Sequence, residues 1–168
     1  MSLDFDPVAE AQRNWERHGW SSVEAMAAAT SITRAHQILL GRIDAALSPF
    51  GLTFSRFEAL ALLHFTKDGC LPMGKVGERL QVHAASVTNT VDRLEADSLV
   101  ERRRHDSDGR TVLACITDAG RDRARNAAAA LGAIDFGLAG TVRPDHAGIT
   151  SALATVRANA GDFVASGS

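Results

Sequence analysis

Apolar and polar residues follow two different periods along this chain, and the change of period marks the order of its elements. Apolar side chains recur every three or four residues, as on one face of a helix, within residues 22–47, 52–65 and 84–96. Residues 99–103 and 111–117 read as strands, and the HDSDG segment between them has the Asp, Ser and Gly of a hairpin loop. The pattern predicts a mainly α-helical fold with a small β-hairpin.

Capping residues predict where the longest helix begins and ends. Ser21 and Glu24 have the spacing of a capping box for helix 22–47, and Pro49 and Gly51 end it. A helix of about 25 residues exceeds the usual length in a small domain. Packing against a second copy of the chain and an ordinary long core helix are both open interpretations.

Further helices are predicted on both sides of the hairpin. Residues 7–19 form a short helix that opens on Pro, and Thr53 or Ser55 caps helix 52–65. After the hairpin, Thr117 caps a helix that runs to about residue 138. Residues 144–161 form the last helix, which again opens on Pro.

The middle of the chain has the element order of a winged helix. A short helix over residues 73–80, a tight turn over 81–83 and a longer helix over 84–96 precede the hairpin. In a winged helix, the second of these helices enters the major groove of DNA and the hairpin loop reaches an adjacent groove or the backbone. Two helices joined by a short turn also occur in many helical bundles, so the hairpin is the stronger indication.

Composition narrows the class of protein less than the pattern does. The chain has 168 residues, of which 45% are hydrophobic, so one compact unit with its own core is expected. The net charge of −2 gives no reason to expect a polyanionic partner, although one basic patch is sufficient for nucleic acid. No secretory signal and no apolar stretch long enough to span a bilayer are apparent, so a cytoplasmic protein without membrane contact is expected.

The cysteines and histidines give no sign of a metal site. Cys70 and Cys115 are far apart in sequence and form no CxxC motif, which favours two reduced thiols without a redox role. The six histidines show no HExxH motif and no zinc-ligand spacing with the cysteines. No metal and no cofactor are predicted.

Residues 86–121, SVTNTVDRLEADSLVERRRHDSDGRTVLACITDAGR, resemble the core signature of the MarR family of winged-helix transcriptional regulators. The close resemblance extends over about residues 52–121, and its most specific part is the wing pattern, in which Asp108 and Arg110 precede an apolar residue and Thr117. The resemblance implies a winged helix-turn-helix core (residues 52–117) between N-terminal (1–51) and C-terminal (118–168) dimerisation helices.

The same resemblance implies the function. A protein of this type is expected to regulate transcription, by default as a repressor, through binding of a homodimer to a palindromic operator in double-stranded DNA. Small phenolic or aromatic acid effectors often release such proteins. Two other functions stay open: a winged-helix module that binds protein instead of DNA, and an enzyme with dispersed catalytic residues. The chain shows no GxSxG, P-loop, GxGxxG or paired-carboxylate motif of an enzyme.

Two positions depart from the family pattern. Ser98 stands where the family usually has Gly after the recognition helix, and Asp97 is expected to take the left-handed conformation in its place. Gly109 stands in the wing where the family often has another Arg, and the arginines before the loop are expected to compensate in part.

Eight residues are predicted to contact DNA. They combine short polar side chains near the start of the second helix with charged residues of the hairpin: Ser86, Thr88, Asn89, Arg93, Arg102, Arg103, Asp108 and Arg110. We expect Arg110 to enter the minor groove, and we expect Asp108 to fix the loop that presents it. The competing interpretation is a set of solvated helix residues and surface ion pairs.

An effector pocket is implied between the dimerisation helices and the DNA-binding core. The aromatic and imidazole side chains that could line it are Trp20, His36, Phe50 and Phe57. For each of these side chains taken singly, core or interface packing is the favoured explanation.

Overall fold

Seven α-helices and three β-strands make up the part of the chain that the computed structural model describes, residues 3–105 and 110–163. The helices are α1 (Pro7–Arg17), α2 (Val23–Leu47), α3 (Phe54–His64), α4 (Met73–Leu80), α5 (Ala84–Ala96), α6 (Asp118–Ala133) and α7 (Arg143–Asn159). The strands are β1 (Cys70–Pro72), β2 (Val100–Arg104) and β3 (Val112–Ile116). This architecture confirms the predicted fold class, and α4 and α5 have the bounds expected from the sequence.

Helix starts follow their caps at two of the predicted positions. The Thr53 hydroxyl accepts the amide of Arg56 at 3.5 Å, and the Thr117 hydroxyl accepts the amide of Gly120 at 3.0 Å. The capping box predicted for α2 is wrong. Ser22 precedes the first turn in a left-handed conformation, with a φ of 61°, and its side chain makes no capping hydrogen bond.

The strands form one antiparallel sheet in the order β1-β3-β2. The sequence pattern did not predict β1, because three residues that include Pro72 are too short to show alternation. Its pairing with β3 sets Cys70 opposite Cys115, and a disulfide joins them. The expectation of two separate reduced thiols is therefore wrong for this structure.

One hydrophobic core fixes the winged helix against the end of α2 and against α6. Its fully buried leucines come from five elements or their edges: Leu47, Leu60, Leu63, Leu94, Leu99 and Leu131. Small residues of α6, Ala124 and Ala127, let that helix pack closely. Helix α6 ends at Ala133, short of the predicted residue 138, and the chain then turns through consecutive left-handed residues Asp135 and Phe136.

The chain divides into two compact units, Met1–Gly137 and Leu138–Ser168. The second unit contains α7, which buries none of its residues and exposes Ile149 and Val156. Among the residues placed by the structure, no helix is long and apolar enough to cross a membrane.

Candidate DNA-binding interface

Helix α5 separates an apolar stripe from a polar one. Val87, Val91 and Leu94 are buried in the core. The predicted contact residues on this helix are all exposed: Ser86, Thr88, Asn89 and Arg93. Ser86, Asn89 and Arg93 are spaced by three and four residues, so their side chains form one stripe along the helix. The structure therefore brings Ser86, Asn89 and Arg93 together on one outward stripe, whereas Thr88 is exposed on another flank of the same helix.

The turn between α4 and α5 is compact because small and left-handed residues occupy it. Gln81 has a φ of 55°, and the amide of Val82 donates to the carbonyl oxygen of Gly77 at 3.1 Å. A Cβ on Gly77 would lie 3.0 Å from a methyl group of Val87, so the absent side chain allows α4 to approach α5. This geometry fixes the direction in which α5 projects its polar stripe.

Arg102 of β2 links the hairpin to α5. Its guanidinium contacts Asp92 Oδ1 at 2.6 Å and also pairs with Glu95, and its backbone amide donates to Glu95 Oε1 at 3.0 Å. A longer hydrogen bond of 3.5 Å reaches the carbonyl oxygen of Thr88. The side chain is only 26% exposed. Its donors therefore point at α5, and its geometry is that of a group that positions the helix.

Electrostatics around Arg102 follow from these contacts. Partial burial lowers the pKa of its guanidinium, but hydrogen bonds to Asp92 and Glu95 and their negative charges outweigh the burial, so the pKa is raised. The side chain stays charged at every pH at which the protein is folded. The link between β2 and α5 is consequently insensitive to pH on the arginine side.

The other predicted hairpin residues differ in their surroundings. Arg103 is exposed and pairs with Glu101 on its own strand. Arg110 is exposed at the start of the segment that leads into β3. Asp108 and Gly109 lie outside the described residues.

A polar cavity beside α5 contains residues that sequence reasoning missed. It has a volume of about 250 Å³ and is lined by two predicted residues, Asn89 and Arg93, and by Thr53, Ser55, Arg56 and Thr90. The Arg56 guanidinium donates to the carbonyl oxygen of Gly51 at 3.1 Å, which holds it at the start of α3. Helix N-termini and arginines favour anions such as phosphate. A basic residue just after a helix cap is the sequence signal that could have identified Arg56.

The end of α5 resolves the first departure from the family pattern. Ser98 itself is left-handed, with a φ of 58°, whereas Asp97 has a φ of −86°. The expectation that Asp97 takes the left-handed conformation is wrong. The amide of Leu99 donates to the carbonyl oxygen of Leu94 at 2.8 Å, a helix-ending hydrogen bond that requires the residue before it to be left-handed.

The four residues predicted to line an effector pocket have different surroundings within the chain. Phe57 is buried in the core and Phe50 packs against it. Trp20 is 55% exposed and contacts the ring of Trp15, and His36 is exposed on α2. Within the described ranges, no group of three or more potential ligands could hold a metal ion.

Comparisons with known proteins find the same winged-helix fold. Residues 50–111 match the MarR family model. The chain is 52% identical to Sco5413, a MarR family transcriptional regulator from Streptomyces coelicolor; the alignment covers 84% of this chain and 99% of that one, with a TM-score of 0.78.

Two more distant structures share the fold alone. Sco3205, a MarR family transcriptional regulator from Streptomyces coelicolor solved in complex with DNA, is 19% identical over 83% of this chain and 89% of its own, with a TM-score of 0.73. CouR from Rhodococcus jostii, solved with p-coumaroyl-CoA, is 23% identical over 80% of this chain and 92% of its own, with a TM-score of 0.67.

Proposed function

Because the chain belongs to the MarR family of transcriptional regulators, we propose that it binds a palindromic operator as a homodimer and represses transcription from it. Family and fold are those of regulators and not of enzymes. The observation that carries the proposal is the exposed polar stripe of α5 beside a hairpin with an exposed arginine.

In this proposal, α5 reads the major groove and the hairpin reaches the adjacent minor groove. Thr88 and Asn89 have hydroxyl and amide groups suited to base edges, and Arg110 has the charge that a narrow minor groove attracts. Two such units related by a dyad would contact half-sites roughly 10 bp apart, centre to centre. Asp108 would then order the loop that presents Arg110.

In this proposal, residues on the elements next to α5 contact the phosphates of the DNA backbone. The cavity lined by Ser55, Arg56 and Arg93 combines the start of α3 with two arginines, so it suits the sugar-phosphate backbone next to the groove that α5 enters. Arg103 lies on the outer part of the hairpin and is suited to the same role. Arg102 is bound to α5, so its contribution to DNA binding would be indirect.

The homodimer is supported by exposed apolar residues at both ends of the chain. Ile32 and Ile38 of α2 are 44% and 52% exposed, and Ile149 and Val156 of α7 are 45% and 58% exposed. Apolar side chains in such numbers outside a core favour burial against another surface. Residues 1–51 and 118–168 would form the dimer, and residues 52–117 would bind DNA.

A small phenol or aromatic acid is the proposed effector. CouR, which shares this fold, was solved with p-coumaroyl-CoA, a thioester of an aromatic acid. Trp20, His36, Phe50 and Phe57 are the side chains we propose to test as its contacts. An effector releases DNA only if it binds the DNA-free dimer geometry more tightly than the DNA-bound one.

The test is a fluorescence anisotropy titration of the chain against the promoter fragment of its own gene, across a salt series, together with sedimentation equilibrium. We expect a dimer and a steep salt dependence. Arg110→Ala, which removes one contact in each protomer of the dimer, should reduce the salt slope by about 2 and weaken binding. The matched control is Arg125→Ala, which removes an exposed arginine of α6 that pairs with Asp122.

Two results would contradict the proposal. A monomer at micromolar concentration would remove the palindromic operator, and a folded dimer that shows no salt-sensitive binding would favour a protein-interaction module. If Arg110→Ala and Arg125→Ala behave alike, the wing contact is wrong even if the chain binds DNA.

A further inference from the structure

The sheet places two cysteines directly opposite each other. Cys70 of β1 faces Cys115 of β3, and their Cα atoms are 4.1 Å apart. The amide of Ile116 donates to the carbonyl oxygen of Gly69 at 2.8 Å, so the cysteines occupy the next, non-hydrogen-bonded position of the ladder. Facing side chains come closest at such positions. The backbone pairing itself therefore brings the two sulfur atoms together.

The alternation of side chains places this pair outside the core. Leu71 and Ala114, the next facing pair, pack in or against the core, and Arg102 beside Ala114 contacts α5. The sulfur atoms consequently lie on the other face of the sheet. There, Cys70 is half-buried and Cys115 is only 2% exposed. An external reagent thus reaches Cys70 more easily than Cys115.

A surface cavity of about 400 Å³ opens on this face of the sheet. Both cysteines line it, together with Asp68, Pro72, Arg103, Arg104, His105 and Leu113. Two arginines outnumber the single aspartate, although one of them, Arg103, also pairs with Glu101. Positive charge favours the reactive thiolate form of a cysteine and attracts anionic reagents.

We propose that Cys70 and Cys115 form a reversible thiol–disulfide exchange site for small acidic thiols and disulfides. The site lies on the face of the sheet away from α5, and the proposal does not depend on operator binding. Its chemistry needs two electrons, which a small disulfide accepts and a small thiol returns.

Oxidation proceeds in two exchange steps. The Cys70 thiolate attacks one sulfur of a small disulfide RSSR, forms a Cys70–S–SR bond and releases RS⁻. The Cys115 thiolate then attacks the Cys70 sulfur, forms the intrachain bond and releases the second RS⁻. Two cysteine thiols are oxidised, RSSR is reduced, and the two protons end on the two RSH molecules. Reduction runs the same steps in reverse and starts with attack on the sulfur of Cys70, the less buried of the two cysteines.

The intrachain bond closes a loop that contains the DNA-reading elements. Cys70 and Cys115 are separated by 45 residues, which include α4, α5 and β2. A cross-link over a loop of this length restricts the unfolded chain, and the melting temperature of the oxidised protein should exceed that of the reduced protein by about 10 °C. Cys70→Ser and Cys115→Ser should each remove this dependence on reductant.

The decisive experiment follows the reaction of the reduced, full-length chain with two small disulfides by intact mass spectrometry after acid quenching. Glutathione disulfide is anionic and cystamine is cationic. We expect wild type to form the intrachain disulfide with either reagent, and faster with glutathione disulfide. Cys115→Ser should accumulate one glutathionyl adduct on Cys70, whereas Cys70→Ser should react roughly tenfold more slowly. Arg103→Gln, which changes the arginine on the cysteine face of β2, should slow the glutathione reaction and leave the cystamine reaction unchanged.

Other outcomes overturn the proposal. If wild type retains two thiols, or holds a mixed disulfide without resolving it, the pair is not an exchange site. Faster modification of Cys115 than of Cys70 would contradict the order of the steps. Equal rates with the two reagents, or an equal effect of Arg103→Gln on both, would show that the cavity does not select acidic reagents.

Discussion

Replacing Arg102 separates the two roles that an arginine in this hairpin can have, contact with phosphate or positioning of the recognition helix. Arg102→Ala removes the guanidinium that pairs with Asp92 and Glu95 but retains the backbone hydrogen bond to Glu95. Two partly exposed ion pairs in one network contribute about 1–2 kcal/mol to the free energy of unfolding. For a chain of this length, the melting temperature should fall by about 2–8 °C.

The effect on DNA is expected in affinity and not in salt dependence. Without its link to β2, α5 loses part of its fixed orientation, so operator affinity should fall by about tenfold, equivalent to roughly 1.4 kcal/mol. Because no phosphate contact is lost, the slope of log affinity against log salt should stay that of wild type. Calorimetry measures the melting temperature. Fluorescence anisotropy across a salt series measures the operator affinity and its dependence on salt.

Two further variants sharpen this test. Arg103→Ala removes the neighbouring arginine, whose side chain is 61% exposed and pairs with Glu101. It should change the free energy of unfolding by no more than about 0.5 kcal/mol. Arg102→Lys keeps the charge but cannot bind both carboxylates in the same way, so it should recover only part of the stability. An Arg102→Ala protein with unchanged melting temperature and a salt slope reduced by about 2, one contact per protomer, would refute the positioning role.

Four other substitutions test local features of the DNA-binding core and of α6, which packs against it. Ser98→Gly should raise the free energy of unfolding by about 0.5–1 kcal/mol, because Gly adopts the left-handed conformation without a steric cost. The control variant Asp97→Gly should lower the free energy of unfolding. A denaturant titration that finds no gain for Ser98→Gly would count against this account. Gly120→Ala should cost about 1–3 kcal/mol, because its Cβ would overlap the carbonyl oxygen of Leu99; a wild-type denaturation midpoint would show that α6 shifts freely. Arg56→Gln should lower the salt slope of operator binding by about 2, one contact per protomer, with little change in melting temperature, and an unchanged slope would remove Arg56 from the interface.

Much of the fold was predictable because its elements are local. The bounds of α4 and α5 follow from apolar spacing and a three-residue turn, and Thr53 and Thr117 cap their helices through side-chain hydrogen bonds to nearby amides. The start of α2 was not predictable from its serines, because the helix begins without a side-chain cap. The missed strand β1 is defined only by its partner β3, which lies far along the sequence.

Some features of the candidate site were likewise predictable from the sequence, and others were not. The exposed stripe of α5 follows from helical periodicity once Val87, Val91 and Leu94 are assigned to the core. Arg102 and Arg103 are adjacent and chemically identical, but the alternation of a strand points them to opposite faces, so one meets α5 and the other does not. Prediction of the disulfide required the register of two strands that lie far apart in the sequence, which residue types alone do not give.

The position of β1 at the edge of the sheet has a consequence for the order in which the sheet assembles. β2 and β3 are joined by a short connection, whereas β1 reaches β3 only after a loop of about 45 residues has closed. Short loops close at lower entropic cost, so in the reduced chain the hairpin should form before β1 docks. In the reduced native protein the same edge should open first, and amide hydrogens between β1 and β3 should exchange with solvent sooner than those between β2 and β3. Transient opening of this kind would expose the sulfur of Cys115 without unfolding of the recognition helix.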